Sequence, residues 1–322
     1  MKAVVHGRYG TADVLEVKDV PKPEVKDGEV LVRVRASSVN FGDVAMLTGV
    51  PYLGRLAFGP MRPRHAVLGK DVAGTVEQVG RGVTRLRVGD EVYGEAESGG
   101  YAEWVVMPES RLAAKPANLT FEQAAAVPLA GNTALCVLRD GGKVRAGMKV
   151  LINGASGGVG TFAVQIAKAF GAEVTGVCSA RNAELVRSIG ADHIVDYTKE
   201  DFAGAGRRYD LILDLVGNRS LADFRRALTP TGTLVLSSGN GSRVFGPMGR
   251  LLRANLIFPF VRQRLRAPIA SPKRERLDDL RELIEAGKVT PAIDRTYPLA
   301  QTAAAVRYFM EEHARAKVVI TV

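Results

Sequence analysis

Short apolar or alternating segments, separated by glycine and proline, fill the first hundred residues of the chain. Segments of this kind are typical of β-strands with at least one buried face. The pattern predicts strands over residues 3–5, 30–36, 72–79, 91–93 and 102–106. This part of the chain is therefore expected to be β-rich and barrel-like.

Alanines become frequent where this strand pattern stops. Thr120 can cap a helix there, and Gln123 completes a capping box three residues later. The change of pattern marks a domain boundary. We expect one domain to comprise residues 1–122 together with 268–322, and the other to comprise residues 123–267.

Apolar strands, glycine turns and helices alternate in the second of these domains. The predicted strands are 150–152, 174–178, 210–216 and 233–236, and a helix over 161–170 joins the first two. Strands that are apolar throughout favour a parallel sheet covered on both faces. The expected fold class is therefore α/β, with a doubly wound parallel sheet. Helices over 273–286 and 299–312 and a strand over 317–322 end the chain.

Positive charge is concentrated in one segment. The 322 residues include 44 Lys and Arg and 34 Asp and Glu, and residues 224–274 hold ten of the basic residues and no acid. Removing those ten leaves 34 basic residues against 34 acidic ones, so the rest of the chain is neutral. Because only this short segment is basic and no aromatic platform interleaves it, no nucleic-acid partner is expected.

Cysteine and histidine are sparse. Cys136 and Cys178 each stand alone in an apolar stretch, which excludes a disulfide framework and a cysteine zinc site. The four histidines lack ligand spacing. The first residues lack the apolar run of a signal peptide, and no apolar stretch approaches about 18 residues. We expect a cytoplasmic protein that binds no metal.

A glycine-rich turn, ASGGVG at 155–160, joins the first predicted strand of the parallel sheet to its helix. Such a turn directs backbone N–H groups and the positive helix end at a pyrophosphate. Ala155 stands where the strict fingerprint has its first glycine. The turn predicts a dinucleotide site. The residues expected to contact the phosphates are Ser156, Gly157, Gly158 and Val159.

The end of the second strand indicates which dinucleotide binds. NAD sites usually place an Asp or Glu there, whereas this chain has Ser179 and Arg181. Because a guanidinium suits a 2′-phosphate, the cofactor is expected to be NADPH. The alternative is that Ser179 caps the next helix and Arg181 is solvated. Tyr197 either closes over the adenosine end or lies at the edge of the core.

Taken together, the β-rich first domain, the ASGGVG turn, the sequence DLVG at 214–217 and the sequence HARAK at 313–317 resemble the medium-chain dehydrogenase/reductase superfamily. The resemblance covers essentially the whole chain and is closest to the zinc-independent quinone oxidoreductase and alkenal or oxoene reductase branch. It implies a GroES-like partly open β-barrel completed by the carboxy-terminal segment, a Rossmann domain, an active site in the cleft between them, and a homodimer.

Zinc-using members of the superfamily carry an early catalytic cysteine, a Gly-His-Glu sequence and a four-cysteine lobe. This chain has Ser38 to Asp43 and Gly69-Lys70-Asp71 in the first two places, and no cysteine in 95–101. The resemblance therefore implies no catalytic zinc. Without a Lewis acid, the expected substrates are quinones and α,β-unsaturated carbonyl compounds, which accept hydride and spread charge onto oxygen.

Two residues are the catalytic candidates of the resemblance. Asn40, in an Asn-x-x-Asp sequence with Asp43, would orient the substrate carbonyl or the nicotinamide ribose, or simply bridge loop backbone. Tyr52 would donate a proton or only form a wall. Lys70 is a weaker candidate for electrostatic help. Asp43 and Asp71 are expected to be structural hydrogen-bond acceptors.

Further cofactor contacts also come from the resemblance. Thr133, Val216 and Gly239 would border the nicotinamide, and Ala314 and Arg315 would fold back to touch the cofactor. Ala316 stands where close relatives have glycine.

Residues 245–269 combine apolar residues with arginines, and Met248, Leu251, Leu252 and Asn255 share one helical face. Three interpretations stay open: a lid or dimer contact, a peripheral membrane contact, and a solvated flank of the core. Two alternative functions also stay open: an enoyl-thioester reductase that uses these arginines, and a non-catalytic, NADPH-binding regulatory or membrane-peripheral protein.

Overall fold

Two compact units make up the protein in the computed structural model, which describes residues 1–204, 206–237, 242–246, 248–258, 261–312 and 314–322, with only the backbone of Asn255 and Ile257. The first unit comprises Met1–Asn132, Pro272–Ala286 and Pro291–Val322. The second comprises Thr133–Ser271 and Gly287–Thr290.

The strands are β1 Lys2–Val5, β2 Glu16–Asp19, β3 Glu29–Val39, β4 Asp71–Val79, β5 Glu91–Glu95, β6 Trp104–Pro108, β7 Leu112–Ala114, β8 Lys149–Asn153, β9 Glu173–Cys178, β10 His193–Asp196, β11 Tyr209–Asp214, β12 Leu228–Leu236, β13 Arg264–Arg266, β14 Ile293–Pro298 and β15 Lys317–Thr321. The α-helices are α1 Phe41–Thr48, α2 Arg55–Phe58, α3 Phe121–Ala125, α4 Pro128–Leu135, α5 Gly158–Ala169, α6 Ala183–Ser188, α7 Leu221–Ala227, α8 Met248–Ile257, α9 Arg274–Glu285 and α10 Thr302–Glu311.

The unit boundaries differ from the predicted domain boundaries, which stand at 122/123 and 267/268. The first unit continues to Asn132, because α3 packs on β3 and β4 of that unit. The helix does begin at the predicted cap, where the Thr120 hydroxyl accepts from the backbone N–H of Gln123. Residues 287–290 join the second unit, since Gln165 exchanges two hydrogen bonds with the backbone of Thr290.

The main sheet of the first unit has the order β14-β15-β3-β4-β5-β7, and β6 also pairs with β3. Alternate valines of β3 (Val30, Val32 and Val34) are buried in the core of this sheet. The last strand, β15, runs antiparallel to β3, with Val318 opposite Val39 and Thr321 opposite Ala36. The carboxy-terminal segment therefore completes the barrel sheet, as the resemblance implied.

The second unit is built on a parallel sheet of order β10-β9-β8-β11-β12-β13. The chain runs outward from β8 through β9 to β10 and then crosses to β11 on the other side of β8, so the strand order reverses at β8. In sheets of this kind, ligands bind beyond the carboxyl ends of the strands at such a switch point. Helix α5 buries Phe162 and Ile166. The doubly wound fold predicted from the sequence is confirmed.

Helix α8 lies within residues 245–269. The residues predicted to share one face of this helix have different environments in the structure. Leu251, Ala254 and Phe258 pack on the core of the second unit, whereas Met248 and Leu252 are exposed. The predicted single face therefore needs correction, because residues at spacings of three and four reach the core and Leu252 points away from it. The side chain of Asn255 lies outside the described residues. In the part of the chain that the structure describes, no helix has the length and hydropathy to cross a membrane.

Candidate active site

The glycine turn between β8 and α5 has the geometry of a phosphate cradle. Gly154 has φ of +92°, and a Cβ at Gly160 would stand 2.1 Å from the carbonyl oxygen of Gly154. Only glycine fits so close a helix-to-strand approach. Gly157 is the N-cap residue of α5, and residues 156–159 are half-buried. The first N–H groups of a helix lack intrahelical partners, so this turn fits a pyrophosphate.

Ala155 occupies the first glycine position of the fingerprint and is fully buried. Its methyl group faces Gly176 on β9, where an added Cβ would stand 3.1 Å from the Ala155 Cβ and 2.5 Å from Val186 Cγ1. Because Gly176 on the neighbouring strand has no side chain, there is room for the methyl group of Ala155. The departure from the fingerprint leaves the cradle intact.

Ser179 and Arg181 follow the carboxyl end of β9. The Ser179 hydroxyl makes no capping hydrogen bond to the turn that begins at Ala180, which disfavours the capping alternative. Arg181 is exposed. Tyr197 follows β10, the neighbouring parallel strand, and its N–H donates to the Cys178 carbonyl at 3.2 Å. The structure therefore brings these three predicted residues to one sheet edge.

Asn182 is a further residue of this edge that sequence reasoning missed. It is buried, and its Nδ2 donates to the Ser156 hydroxyl at 3.1 Å. This bond ties the end of β9 to the phosphate turn. Its Oδ1 is buried and has no hydrogen-bond partner among the described residues. The sequence feature that could have indicated Asn182 is its position directly after Arg181 and before α6.

Asp214, at the carboxyl end of β11, organises the next turn. Its buried carboxylate accepts from Asn153 Nδ2 at 2.8 Å and from the N–H groups of Val216 and Gly217 at 3.2 and 3.1 Å. Arg250 forms an ion pair with the same carboxylate. Val216, a predicted nicotinamide contact, is therefore held in place by a buried acid.

Two other nicotinamide contacts were predicted in this part of the chain, Thr133 and Gly239. Thr133 lies in α4 and is half-buried. Gly239 lies outside the described residues.

In the first unit, Asp71 is the centre of a buried hydrogen-bond network. Its Oδ2 accepts from Ser38 Oγ at 2.5 Å, Asn40 Nδ2 at 2.9 Å and Lys317 Nζ at 3.1 Å. Its Oδ1 accepts from the N–H of Leu129 at 2.8 Å. The carboxylate is fully buried and serves as a structural acceptor, as expected.

The network restricts what Asn40 can do. Both hydrogens of its amide are used, toward Asp71 and the Ser38 carbonyl, and its Oδ1 accepts from Lys317 Nζ at 2.5 Å. An amide oxygen has a second lone pair, whereas the NH₂ group has no third hydrogen. Asn40 can therefore accept from a ligand hydroxyl, such as a ribose, and cannot donate to a carbonyl without breaking the network.

Lys317 was missed as a site residue. Its side chain is 2% exposed although it opens the last strand of the barrel. A charged residue at the start of an apolar terminal strand was the only signal in the sequence.

Two more carboxyl groups lie buried in this unit. Burial, followed by the charge of Asp71, raises the pKa of Asp43 to about 6 and that of Glu95 to about 7. Asp43 Oδ2 accepts from the Asn40 N–H at 3.0 Å and from the Tyr101 hydroxyl at 3.3 Å, and its Oδ1 has no partner among the described residues. Burial also raises the pKa of Tyr101. Burial therefore moves the titration of both carboxyl groups toward neutral pH.

Tyr52 lies outside the buried network. It is 45% exposed, and the Arg55 guanidinium stands 4.9 Å from its ring centre and 4.5 Å from that of Tyr9. In the part of the chain that the structure describes, its hydroxyl makes no hydrogen bond.

The predicted carboxy-terminal contacts precede Lys317. Arg315 is fixed by Asp294, which accepts from its backbone N–H at 3.1 Å and from its Nε at 3.0 Å. Ala314 is half-buried. Ala316 has φ of +51°, which is the left-handed region that favours glycine. The residue type at this position therefore bears on backbone strain.

Two family models match separate parts of the chain. A family model described as "Alcohol dehydrogenase GroES-like domain" matches residues 26–117, and one described as "Zinc-binding dehydrogenase" matches residues 189–320. Among the residues described above, no group of three or more His, Cys, Asp or Glu side chains is placed to hold a metal ion.

Curated relatives and solved structures cover nearly the whole chain. An Arabidopsis thaliana NADPH-dependent alkenal/one oxidoreductase is 35% identical over 99% of this chain and 79% of its own length. A Pseudomonas aeruginosa quinone oxidoreductase is 35% identical over 94% of each chain. The structure of a Coxiella burnetii quinone oxidoreductase superimposes with a TM-score of 0.87 at 29% identity, over 100% of this chain and 99% of that one. The chain therefore belongs to the medium-chain dehydrogenase/reductase superfamily, in its quinone oxidoreductase and alkenal/one oxidoreductase branch.

Proposed function

We propose that the protein is an NADPH-dependent, zinc-independent oxidoreductase that transfers hydride to quinones or α,β-unsaturated carbonyl compounds. The observation that carries the proposal is the glycine cradle of β8 and α5, followed at the end of β9 by Ser179 and Arg181 instead of an acid. The named relatives include enzymes of this class.

Different residues of the second unit bind different parts of the cofactor. The turn at 156–159 binds the pyrophosphate, Ser179 and Arg181 bind the 2′-phosphate, and Tyr197 covers the adenosine. Thr133, Val216 and Gly239 border the nicotinamide, and Ala314 and Arg315 of the first unit are further expected contacts. NADPH supplies the hydride when it is bound.

The first unit supplies the substrate side. Asn40 accepts from the nicotinamide ribose through its Oδ1 and so orients the ring. Tyr52, an exposed residue whose hydroxyl makes no hydrogen bond with the described residues, lines the substrate site and donates a proton. Conjugated acceptors suit such a site, because charge delocalised onto oxygen needs only hydrogen-bond donors and fixed charges for its stabilisation.

The decisive experiment is oxidation of NADPH, and of NADH in parallel, by metal-stripped protein. The acceptors are a 1,4-quinone, a 2-alkenal, an enoyl thioester and a saturated aldehyde. Turnover of the quinone or the alkenal, with NADPH preferred and the saturated aldehyde inert, is the expected result. NADPH binding without turnover of any acceptor would instead favour the non-catalytic alternative.

The enoyl-thioester alternative gains nothing from two of the arginines in residues 245–269. Arg250 is already paired with Asp214 at the carboxyl end of β11, and Arg262 lies at the opposite edge of the sheet. Arg208, Arg225, Arg226 and Arg262 line a cavity of about 480 Å³ in the second unit. Arg208 directly precedes β11, so this cavity lies at the amino ends of the strands. The cofactor cradle lies at the carboxyl ends, and a carrier phosphate held by these arginines would sit at the wrong edge of the sheet.

Three further expectations belong to the proposal: a cytoplasmic location, a homodimer, and a peripheral contact with anionic membranes through residues 245–269. Phe245, Met248, Leu252 and Leu256 of that segment are 49–72% exposed. The exposed Arg253 lies on the same helix, and no acid occurs in residues 224–274. Exposed apolar residues beside unopposed positive charge suit an anionic lipid surface.

A further inference from the structure

Lys70 is a half-buried lysine that forms no ion pair or hydrogen bond through its ammonium with the described residues. It directly precedes β4. Its Cδ and Cε atoms each lie 3.7 Å from the place where a Cβ of Gly42 would stand, so its stem rests on the first turn of α1. This turn contains the Asn-x-x-Asp sequence that begins at Asn40.

Lys317 and Lys70, the two lysines near this buried network, differ in their hydrogen-bond partners. Lys317 donates to both Asn40 and Asp71 and is 2% exposed. Lys70 stands within electrostatic reach of Asp43 and Glu95, since its charge lowers the pKa of each against the larger effect of burial. Neither carboxylate lies within ion-pair distance of it among the described residues. All three ammonium hydrogens of Lys70 are therefore available to a ligand.

We propose that the Lys70 ammonium binds the substrate oxygen on which negative charge accumulates during reduction. This inference rests on the proposed function and adds a catalytic residue to it. Addition of hydride at the β-carbon of an enone moves the C=C electron pair toward oxygen, and a proton donated by Tyr52 at the α-carbon, which water then replaces on Tyr52, completes the reduction. Lys70 acts by charge and is not the proton donor, and charge is most effective in a site partly shielded from water.

Kinetics of charge-removing and charge-keeping variants form the first test. Lys70→Met keeps most of the stem and should lower kcat/KM for a 2-alkenal about 100-fold, the scale for losing one oxyanion-stabilising group. Lys70→Arg keeps the charge and should stay within about tenfold of the native protein. Lys149→Met removes one exposed lysine from the start of β8 and serves as the matched control, with a change below about twofold. Equal thermal midpoints for all four proteins exclude an effect of unfolding.

A spectroscopic titration provides a test without turnover. 4-Nitrophenol mimics the charged oxygen, and its phenolate is recognised by its visible absorbance. Bound to the protein saturated with NADP⁺, it should ionise at a lower pH than in buffer, with at least about a tenfold shift in favour of phenolate, or 1 pKa unit. Lys70→Met should abolish that shift.

Different results would overturn the proposed function and the role of Lys70. A native protein that reduces no conjugated acceptor overturns the proposed function, while the phenol titration still tests Lys70. A native protein that turns over normally, with kcat/KM unchanged in Lys70→Met or with the same phenol pKa in both proteins, overturns the role of Lys70 alone.

Discussion

Lys317 and Asp71 form a buried ion pair, with Nζ and Oδ2 3.1 Å apart and side-chain exposures of 2% and 0%. The pair joins the last strand of the barrel to β4, and it fixes the amide of Asn40. Burying two charges is costly, so such a pair persists only where hydrogen bonds satisfy both partners. Here Ser38 and Leu129 complete the coordination of the carboxylate.

Removing the cation should destabilise the protein strongly. Lys317→Met leaves the Asp71 carboxylate buried without its counter-charge, and we expect the free energy of unfolding to fall by about 3–5 kcal/mol. Urea denaturation followed by circular dichroism measures it. Asp71→Asn in the Lys317→Met background should recover part of the loss, because it removes the unpaired charge. A loss below about 1 kcal/mol in the single variant would contradict the role of the pair.

Changing Arg181 should separate the two nicotinamide cofactors. Loss of a charged hydrogen bond to the 2′-phosphate corresponds to about 1.5–3 kcal/mol, so Arg181→Ala should weaken NADPH binding about 10–100-fold. NADH binding should change less than about twofold. Fluorescence titration gives both dissociation constants, and Arg187→Ala, an exposed arginine on α6, is the control. Equal losses for both cofactors would refute the assignment.

The buried Asp43 should make stability fall as pH rises. Its pKa is raised from 3.8 to about 6, mainly by burial, so the folded protein holds a proton that the unfolded chain releases between these values. The stabilisation is complete below about pH 4 and is lost as pH rises through about 6, for a total of about 3 kcal/mol.

Asp43→Asn isolates this effect, because it keeps the shape of the side chain and removes the titration. Relative to the native protein, the variant should gain stability between about pH 4 and pH 7, as the pH passes from the unfolded to the folded pKa of Asp43. Urea denaturation across that range is the measurement, and a difference that stays constant with pH would exclude the effect. Glu95, with its pKa raised to about 7 by burial, adds a background slope of the same sign in both proteins.

Ala316 has the backbone conformation of a glycine, with φ of +51°. The left-handed region costs an alanine about 1–2 kcal/mol, and glycine loses part of that gain through its more flexible unfolded state. Ala316→Gly should therefore stabilise the protein by about 0.5 kcal/mol. Ala124→Gly, within α3, should instead destabilise it by about 1 kcal/mol. Thermal unfolding ranks the three proteins, and a destabilised Ala316→Gly would show that its buried methyl group matters more than its φ angle.

The basic, apolar segment should bind anionic vesicles. We expect the native protein to float with vesicles of phosphatidylglycerol and phosphatidylcholine at low salt, and not with phosphatidylcholine alone. Leu252→Glu should abolish flotation, because it introduces an acid beside Arg253 on the exposed side of α8. Val88→Glu changes an equally exposed apolar residue of the first unit and should have no effect. Flotation that persists in Leu252→Glu would exclude this surface.

Features that depend on close neighbours in the chain were predictable from the sequence. The Thr120 cap, the glycine turn at 154–160 and the apolar strands of the parallel sheet each follow from spacings of a few residues. The identity of the cofactor was predictable for the same reason, because Ser179 and Arg181 follow directly after β9.

Features that depend on distant pairings were decided by the tertiary structure. Lys317 meets Asn40 across 277 residues of sequence and Asp71 across 246, and no local pattern indicates that these three side chains share one buried network. The same network uses both amide hydrogens of Asn40. The Lys70 ammonium has no partner among the residues that the structure describes. The sequence by itself determined which elements form and which cofactor fits them, since short-range spacing and residue type carry that information. The tertiary structure decided which charged groups are neutralised and which remain available for chemistry, because that depends on burial and on partners brought together only by the fold.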